Sequence, residues 1–261
     1  MRLDEITPVI LTRNEEPNIR RTLERLSWAK DIVVVDSGSD DGTLAILRQF
    51  PAVRVFQHPF REHAEQWRYA LSETSITAPW VLGLDADYIL SEELVREFES
   101  LAPESEIGGY EAAFRYCILG HPLPRSIYPP RILLFRREQA KFLQDGHTQR
   151  LSVSGAVRSL RHLVDHDDRK SLAHWLGAQD AYARLERGKL LAARAGELGQ
   201  ADRLRSRRVF APIAVLLYCL FAKRMLFAGL PGWYYTYQRV VAEILLSLYL
   251  IEDRLVNHEP R

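Results

Sequence analysis

Over the first hundred positions, apolar residues gather into short runs that stop at acidic or small polar residues. Between the runs they recur at helical spacing. Ile6–Thr12 (ITPVILT) is β-branched and closes on Arg13-Asn14-Glu15-Glu16-Pro17, so it reads as a strand. Asn14 would then serve as N-cap and Pro17 would sit in the first helical turn. Ile19, Leu23 and Leu26 predict a helix over 17–28. Residues 31–36 (DIVVVD) form a second strand, apolar on both faces as in a parallel sheet. It runs into Ser37-Gly38-Ser39-Asp40-Asp41-Gly42-Thr43, a tight turn whose backbone can approach a ligand. Leu44, Leu47 and Phe50 mark a second helix, Val53–Gln57 a third strand, and residues 62–74 a third helix with Ala64, Trp67 and Leu71 on one face. Trp80–Leu84 is an apolar run that ends on Asp85-Ala86-Asp87, and a fourth helix runs from Ser91 to about Leu101.

Strand and helix thus alternate four times, which predicts an α/β fold with a mostly parallel sheet flanked by helices. Three strands end in ligand-type groups: Thr12 to Glu15, Asp36 to Ser39, and Asp85 to Asp87. In a parallel sheet these ends share one edge, where open α/β folds bind their ligands. No G-x-G-x-x-G follows the first strand and no G-x-x-x-x-G-K-[ST] occurs, which counts against a dinucleotide fold and a P-loop. Carboxylates stand there instead. Asp36 suits a ribose hydroxyl or a base N–H. Asp85 and Asp87 suit a hard divalent cation, Mn²⁺ or Mg²⁺, that neutralises a pyrophosphate.

Composition adds a charge asymmetry to this picture. Residues 1–100 carry a balance of −7 and residues 101–261 a balance of +8, within a net charge of +1. An acidic front accords with a cation site, and a basic rear with an anionic partner. Cys117 and Cys219 stand far apart, so neither a disulfide framework nor a zinc site is expected. The N-terminus lacks the basic-then-apolar layout of a signal peptide. No run reaches the length of a membrane-spanning helix.

TPVILTRNEEPNI, IVVVDSGSDDGT and WVLGLDADYILSEEL, in this order and spacing, resemble the successive motifs of family 2 glycosyltransferases with a GT-A fold. The nearest likeness is to the branch that acts on lipopolysaccharide core. The resemblance covers roughly residues 5–100. It implies that Thr12, Asn14, Glu15 and Asp36 contact the nucleoside of a nucleotide-sugar donor, a UDP-sugar foremost. It implies that Asp85 and Asp87 are the family's D-x-D, with Asp87 most directly on the metal and Asp85 also toward the donor. Gln66 sits where the family makes polar donor contacts. Relatives commonly carry Lys-Asn where this chain has Trp67-Arg68. Arg68 would reach the pyrophosphate, or lie on a solvated helix face.

Residues 111–116 and 131–135 read as further strands, joined by a stiff loop with four prolines that either shapes the acceptor side or is a plain connector. Inverting transfer needs a carboxylate to take the acceptor's proton. The resemblance places it near Asp145-Gly146-His147-Thr148, and Asp145 is the candidate; ordinary Asp-Gly turn chemistry is the alternative. Asp167 and Asp168 are expected to cap the helix that follows; the alternative, which the resemblance allows, is His166 as an extra ligand to the donor-bound metal. Residues 171–199 read as that helix. Residues 203–224 hold six cations and no acid around the apolar run Val209–Ala222, and Gly229-Leu230-Pro231-Gly232 reads as a turn before an aromatic cluster and a last helix. Such segments suit a helical hairpin in the headgroup region of an anionic membrane; a hydrophobic helix pair packed on the domain or on a second subunit is the alternative.

The expectation is a catalytic GT-A domain over residues 1–165 and a helical, membrane-interfacial region over residues 166–261. The enzyme would be a metal-dependent inverting glycosyltransferase, cytoplasmic and peripheral on the inner face of the cytoplasmic membrane. Its acceptor would be a glycan or lipid-linked saccharide of the envelope, and no nucleic acid is called for. The competing readings are a nucleotidyltransferase and a non-catalytic nucleotide-binding scaffold at a membrane.

Overall fold

The computed structural model describes residues 1–145, 148–193 and 198–256. The chain divides into two compact units: residues 1–122 with 128–170, and residues 123–127 with 171–261. The first unit runs β1 (Ile6–Thr12), α1 (Ile19–Glu24), β2 (Ile32–Asp36), α2 (Thr43–Leu47), β3 (Val53–Gln57), α3 (His63–Glu73), β4 (Trp80–Asp85), β5 (Tyr88–Leu90) and α4 (Glu92–Ser100). It continues with β6 (Ile107–Ala112), β7 (Phe114–Ile118), β8 (His121–Pro122), β9 (Arg131–Arg136), β10 (Ala140–Asp145), β11 (Thr148–Val153), β12 (Ala156–Ser159) and β13 (Val164–His166).

Seven strands form the main sheet in the order β12-β6-β9-β4-β1-β2-β3. β9 runs antiparallel to both β4 and β6, and the other pairs are parallel. The strands are apolar on both faces because helices cover both. Ile10, Val34, Leu82 and Leu84 pack with Ile19 and Leu23 of α1 and with Leu94 and Phe98 of α4. Val9, Val33, Val35 and Val81 point the other way, onto Ala64, Trp67 and Ala70 of α3. Each such side chain contributes about 1.5–3 kcal/mol on leaving water. Register then fixes the edge: Thr12 pairs with Asp36 and Leu11 with Asp85.

A smaller sheet, β5-β13-β7-β8, sets His166 opposite Tyr88 and Tyr116. β13 belongs to this sheet, and the first unit runs to Lys170. Helix α1 starts at Ile19 and Asn14 does not cap it. Asn14 takes a left-handed φ of 55° and turns its side chain to the loop after β2.

The second unit is helical: α5 (Leu172–Ala192), α6 (Gln200–Ser206), α7 (Phe210–Leu217), which runs on as a π-type turn over Tyr218–Ala222, and α8 (Gly229–Val256). Ser171 caps α5 by accepting from the His174 amide, so Asp167 and Asp168 are not its caps. The expected Gly229–Gly232 turn is instead the first turn of α8. Proline is tolerated there. At Gly232 a Cβ would stand 2.5 Å from the Met225 carbonyl oxygen, so only glycine fits. Ala183 and Leu190 pack with Leu246 and Leu250, and Arg205 forks onto Glu243 at 3.0 and 2.7 Å. Phe210, Ile213, Leu217 and Phe221, spaced for one helix face, are all exposed. Phe227 and Leu230 are 83% and 84% exposed. Among the described residues no helix is long and apolar enough to cross a membrane.

Candidate active site

Asp36 is fully buried at the end of β2. One of its oxygens accepts from the Gly38 and Ser39 amides at 3.0 and 2.9 Å, the other from the Thr12 and Ser39 hydroxyls at 3.1 and 2.5 Å. A positive φ of 84° at Gly38 lets the chain fold back over the carboxylate. Asn14 completes the strap: its amide donates to the Ser39 hydroxyl, and its side chain exchanges two hydrogen bonds with Asp40. Thr12, Asn14 and Asp36 are therefore one hydrogen-bonded assembly that fixes the shape of the two loops beside the sheet edge.

The Asp85-Ala86-Asp87 turn is pinned at its backbone. The buried Thr22 hydroxyl of α1 donates to the Ala86 carbonyl at 2.6 Å, and the Asp167 amide donates to the Asp87 carbonyl at 3.0 Å. Asp87 is 7% exposed, and its Oδ2 lies 3.1 Å from His166 Nε2. Burial alone would drive both groups neutral, but their mutual attraction outweighs it. The Asp87 carboxyl sits below its ordinary value and the His166 imidazole above its own. Asp87 Oδ1 and His166 Nδ1 are buried with no hydrogen-bond partner among the described residues. A buried carboxylate oxygen without a donor suits a cation, and the oxygen donors of Asp85 and Asp87 suit a hard one. Among the described residues no three His, Cys, Asp or Glu side chains converge as a complete metal cage.

Glu15 meets a partner from the far end of the unit. Lys170 Nζ lies 2.7 Å from Glu15 Oε1 and 3.5 Å from Asp168 Oδ1. Burial pushes the Glu15 carboxyl up to about 7 against the pull of Lys170, with the Asp87 charge adding to the rise. Asn18 ties the same strands of chain together, donating to Glu15 Oε2 at 2.9 Å and to Asp168 Oδ1 at 2.8 Å. Arg21 takes Asp167 at 2.8 Å. Residues 167–170 are thus fastened to the start of α1, which explains why the two acids do not cap α5. Lys170 and Asn18 are site residues that sequence reasoning did not single out. Lys170 was visible only as a cation in a stretch dense with His and Asp.

Gln66 and Arg68 are not drawn into this cluster. Gln66 is buried and donates to the His58 and Pro59 carbonyls. Arg68 pairs with Glu62 at 2.8 Å on an exposed helix face, the solvated alternative. Their neighbour Trp67 lines a cleft of about 460 Å³ that opens beside Asp85 and is also walled by Tyr88, Glu111, Arg131 and Phe142. The backbone of Asp145 closes β10, but its side chain, with Gly146 and His147, lies outside the described residues.

Residues 7–148, more than half of the chain, match the family described as Glycosyl transferase family 2. The lipopolysaccharide core biosynthesis glycosyltransferase LpsC of Rhizobium meliloti (strain 1021) is 34% identical over 145 residues, 52% of this chain and 53% of that protein. An uncharacterized glycosyltransferase of Rickettsia felis (strain ATCC VR-1525 / URRWXCal2) is 36% identical over 98 residues, 37% of this chain and 34% of that one. The chain spans about half the length, or less, of these curated relatives. Among solved structures, S. aureus TarS residues 1–349 in complex with UDP-GlcNAc aligns with a TM-score of 0.51 at 14% identity. The alignment covers 98% of this chain and 93% of that one, a likeness of fold. With the strand-end carboxylates on a largely parallel sheet and the family match across them, the chain belongs to glycosyl transferase family 2.

Proposed function

We propose that this chain is a metal-dependent, inverting glycosyltransferase, and that it moves a sugar from a nucleotide-diphosphate donor to a glycan or lipid-linked saccharide of the cell envelope. The observation that carries the reading is the buried, donorless Oδ1 of Asp87 beside Asp85, at the edge where three strand ends converge. Asp85 and Asp87 would hold Mn²⁺ or Mg²⁺, with His166 beside them. Such an ion supplies charge neutralisation for the departing diphosphate. The loops held by Asp36 and Asn14 would cradle the nucleoside, and Glu15 would face it from the end of β1. A UDP-sugar is the first donor to try, since the TarS fragment of like fold was crystallised with UDP-GlcNAc.

Asp145 would accept the proton of the acceptor hydroxyl. That oxygen bonds to the anomeric carbon as the bond from this carbon to the diphosphate oxygen breaks, and the nucleoside diphosphate leaves with the electron pair. The acceptor class is supported by the LpsC likeness, a lipopolysaccharide core biosynthesis enzyme by name. Association with the inner face of the cytoplasmic membrane is supported by the second unit. Residues 203–242 hold seven cations and no acid, around the exposed face of Phe210, Ile213, Leu217 and Phe221. The test is hydrolysis of UDP-, GDP-, dTDP- and CDP-sugars in Mn²⁺ and in EDTA. One donor should turn over in Mn²⁺ alone, and Asp85→Asn should lose that turnover. Turnover undiminished by EDTA would overturn the metal-dependent reading, and no turnover of any donor would favour a scaffold.

A further inference from the structure

Arg131 opens β9 beside the last residue of β4. The pairing of Trp80 with Arg136, Val81 with Phe135 and Leu82 with Leu134, carried forward, sets Arg131 level with Asp85. Its side chain lines the cleft beside Asp85 and stacks on Tyr128, 5.2 Å from the ring centroid. It makes no hydrogen bond or ion pair with any described residue, and its Nε is buried without a partner. A guanidinium offers five donors in a rigid fork. Leaving the buried Nε–H without an acceptor is costly, and folded proteins rarely do so. The other charged groups of the cleft do not serve it. Glu111 accepts instead from Ser159 at 2.8 Å, and Asp85 stands within its field without touching it.

The strand order says which ligand that charge would meet. β1 and β2, whose loops carry Thr12, Asn14 and Asp36, lie on one flank of β4; β9 and β6, with Arg131 and Glu111, lie on the other. If the proposed donor site is right, the diphosphate spans from the first flank to Asp85 and Asp87, and the second flank is left for the acceptor. The cleft there is lined in part by Trp67 and Phe142, whose rings stack on each other 4.9 Å apart, so one wall of it is apolar.

The geometry points to Arg131 as the anchor for an anionic group on the acceptor saccharide, a carboxylate or a phosphate monoester gripped by the free guanidinium fork. This rests on the proposed donor site, and the test separates the two. The full chain, saturated with UDP and Mn²⁺, is titrated calorimetrically with methyl glucuronide, glucose 6-phosphate and neutral methyl glucoside. Wild type, Arg131→Met and Arg131→Lys are compared, after matching their thermal transitions. At least one anionic sugar should bind wild type about tenfold or more tighter than methyl glucoside. Whichever of the two does so identifies the anion. Arg131→Met should erase the preference, Arg131→Lys should keep part of it, and UDP affinity in Mn²⁺ should stay within about twofold in both. Equal binding of charged and neutral sugars, or no saccharide binding, would overturn the assignment. So would about a tenfold loss of UDP affinity in Arg131→Met, because the guanidinium would then serve the donor diphosphate. Should wild type fail to bind UDP, the donor reading falls, and the saccharide titration without nucleotide still decides the role of Arg131.

Discussion

Replacing Lys170 by Met should destabilise the fold by an amount that grows with pH. Lys170 lies 2.7 Å from Glu15 Oε1 in surroundings largely closed to water. Breaking a buried ion pair costs about 3–5 kcal/mol when the remaining charge stays ionised. Glu15 has an escape, because burial already raises its carboxyl to about 7, and without Lys170 it would rise further. At pH 6 the variant can protonate Glu15 and lose only a charge-assisted hydrogen bond, about 1.5–3 kcal/mol. The sign of the pH dependence follows from linkage. An acid whose folded value is raised binds a proton in the folded state that the unfolded chain has released, so stability falls as pH rises between the two values. In wild type that fall is complete near pH 7. In Lys170→Met it should continue, at up to about 1.4 kcal/mol per pH unit, and bring the loss to about 3–4.5 kcal/mol at pH 8. Urea unfolding of both proteins at pH 6, 7 and 8 measures this, with Glu15→Gln/Lys170→Met as the control in which the growth disappears. A loss that is the same at all three pH values, or that persists in growing after Glu15 is neutral, would refute the reasoning.

Three further outcomes follow from the geometry. Asp36→Ala strands two amides and the Thr12 hydroxyl, so it should cost about 3–4 kcal/mol in urea unfolding and abolish UDP binding; an unfolding free energy unchanged within about 0.5 kcal/mol would mean the loops hold without it. Asp145→Asn should remove sugar transfer while UDP affinity in Mn²⁺ is retained; near-normal turnover would move the base elsewhere. Phe227→Glu/Leu230→Glu should lower co-sedimentation with vesicles of anionic lipid by about tenfold or more and leave neutral vesicles unbound, whereas unchanged binding would argue that this face serves another purpose.

The main sheet was legible because parallel strands covered on both sides spell unbroken apolar runs, and β1, β2 and β4 each end where the polar residues begin. The same feature exposed the edge, since strand direction alone aligns Thr12, Asp36 and Asp85. What escaped were pairings between distant segments. Glu15 and Lys170 are 155 residues apart, and nothing in either local pattern announces the contact. Asp167 and Asp168 looked like caps because they precede a helix, yet Ser171 stands closer to it, and the acids are claimed by Arg21 and Asn18. Gly229–Gly232 carried turn composition, but its glycine is demanded by close packing on the Met225 carbonyl rather than by a reversal of the chain. Arg131 gave no signal at all, for an arginine at the start of a strand is ordinary until its Nε is seen to be buried without an acceptor.

The most direct test of the donor site is calorimetric titration of UDP into the full chain, with and without Mn²⁺, for wild type and Asp87→Ala. The proposed function predicts UDP binding in Mn²⁺ that weakens at least tenfold without the metal and is lost in the variant, because Asp87 Oδ1 is buried without a hydrogen-bond partner among the described residues. UDP binding of equal strength with and without Mn²⁺, unaffected by Asp87→Ala, would contradict the metal-centred account of this site.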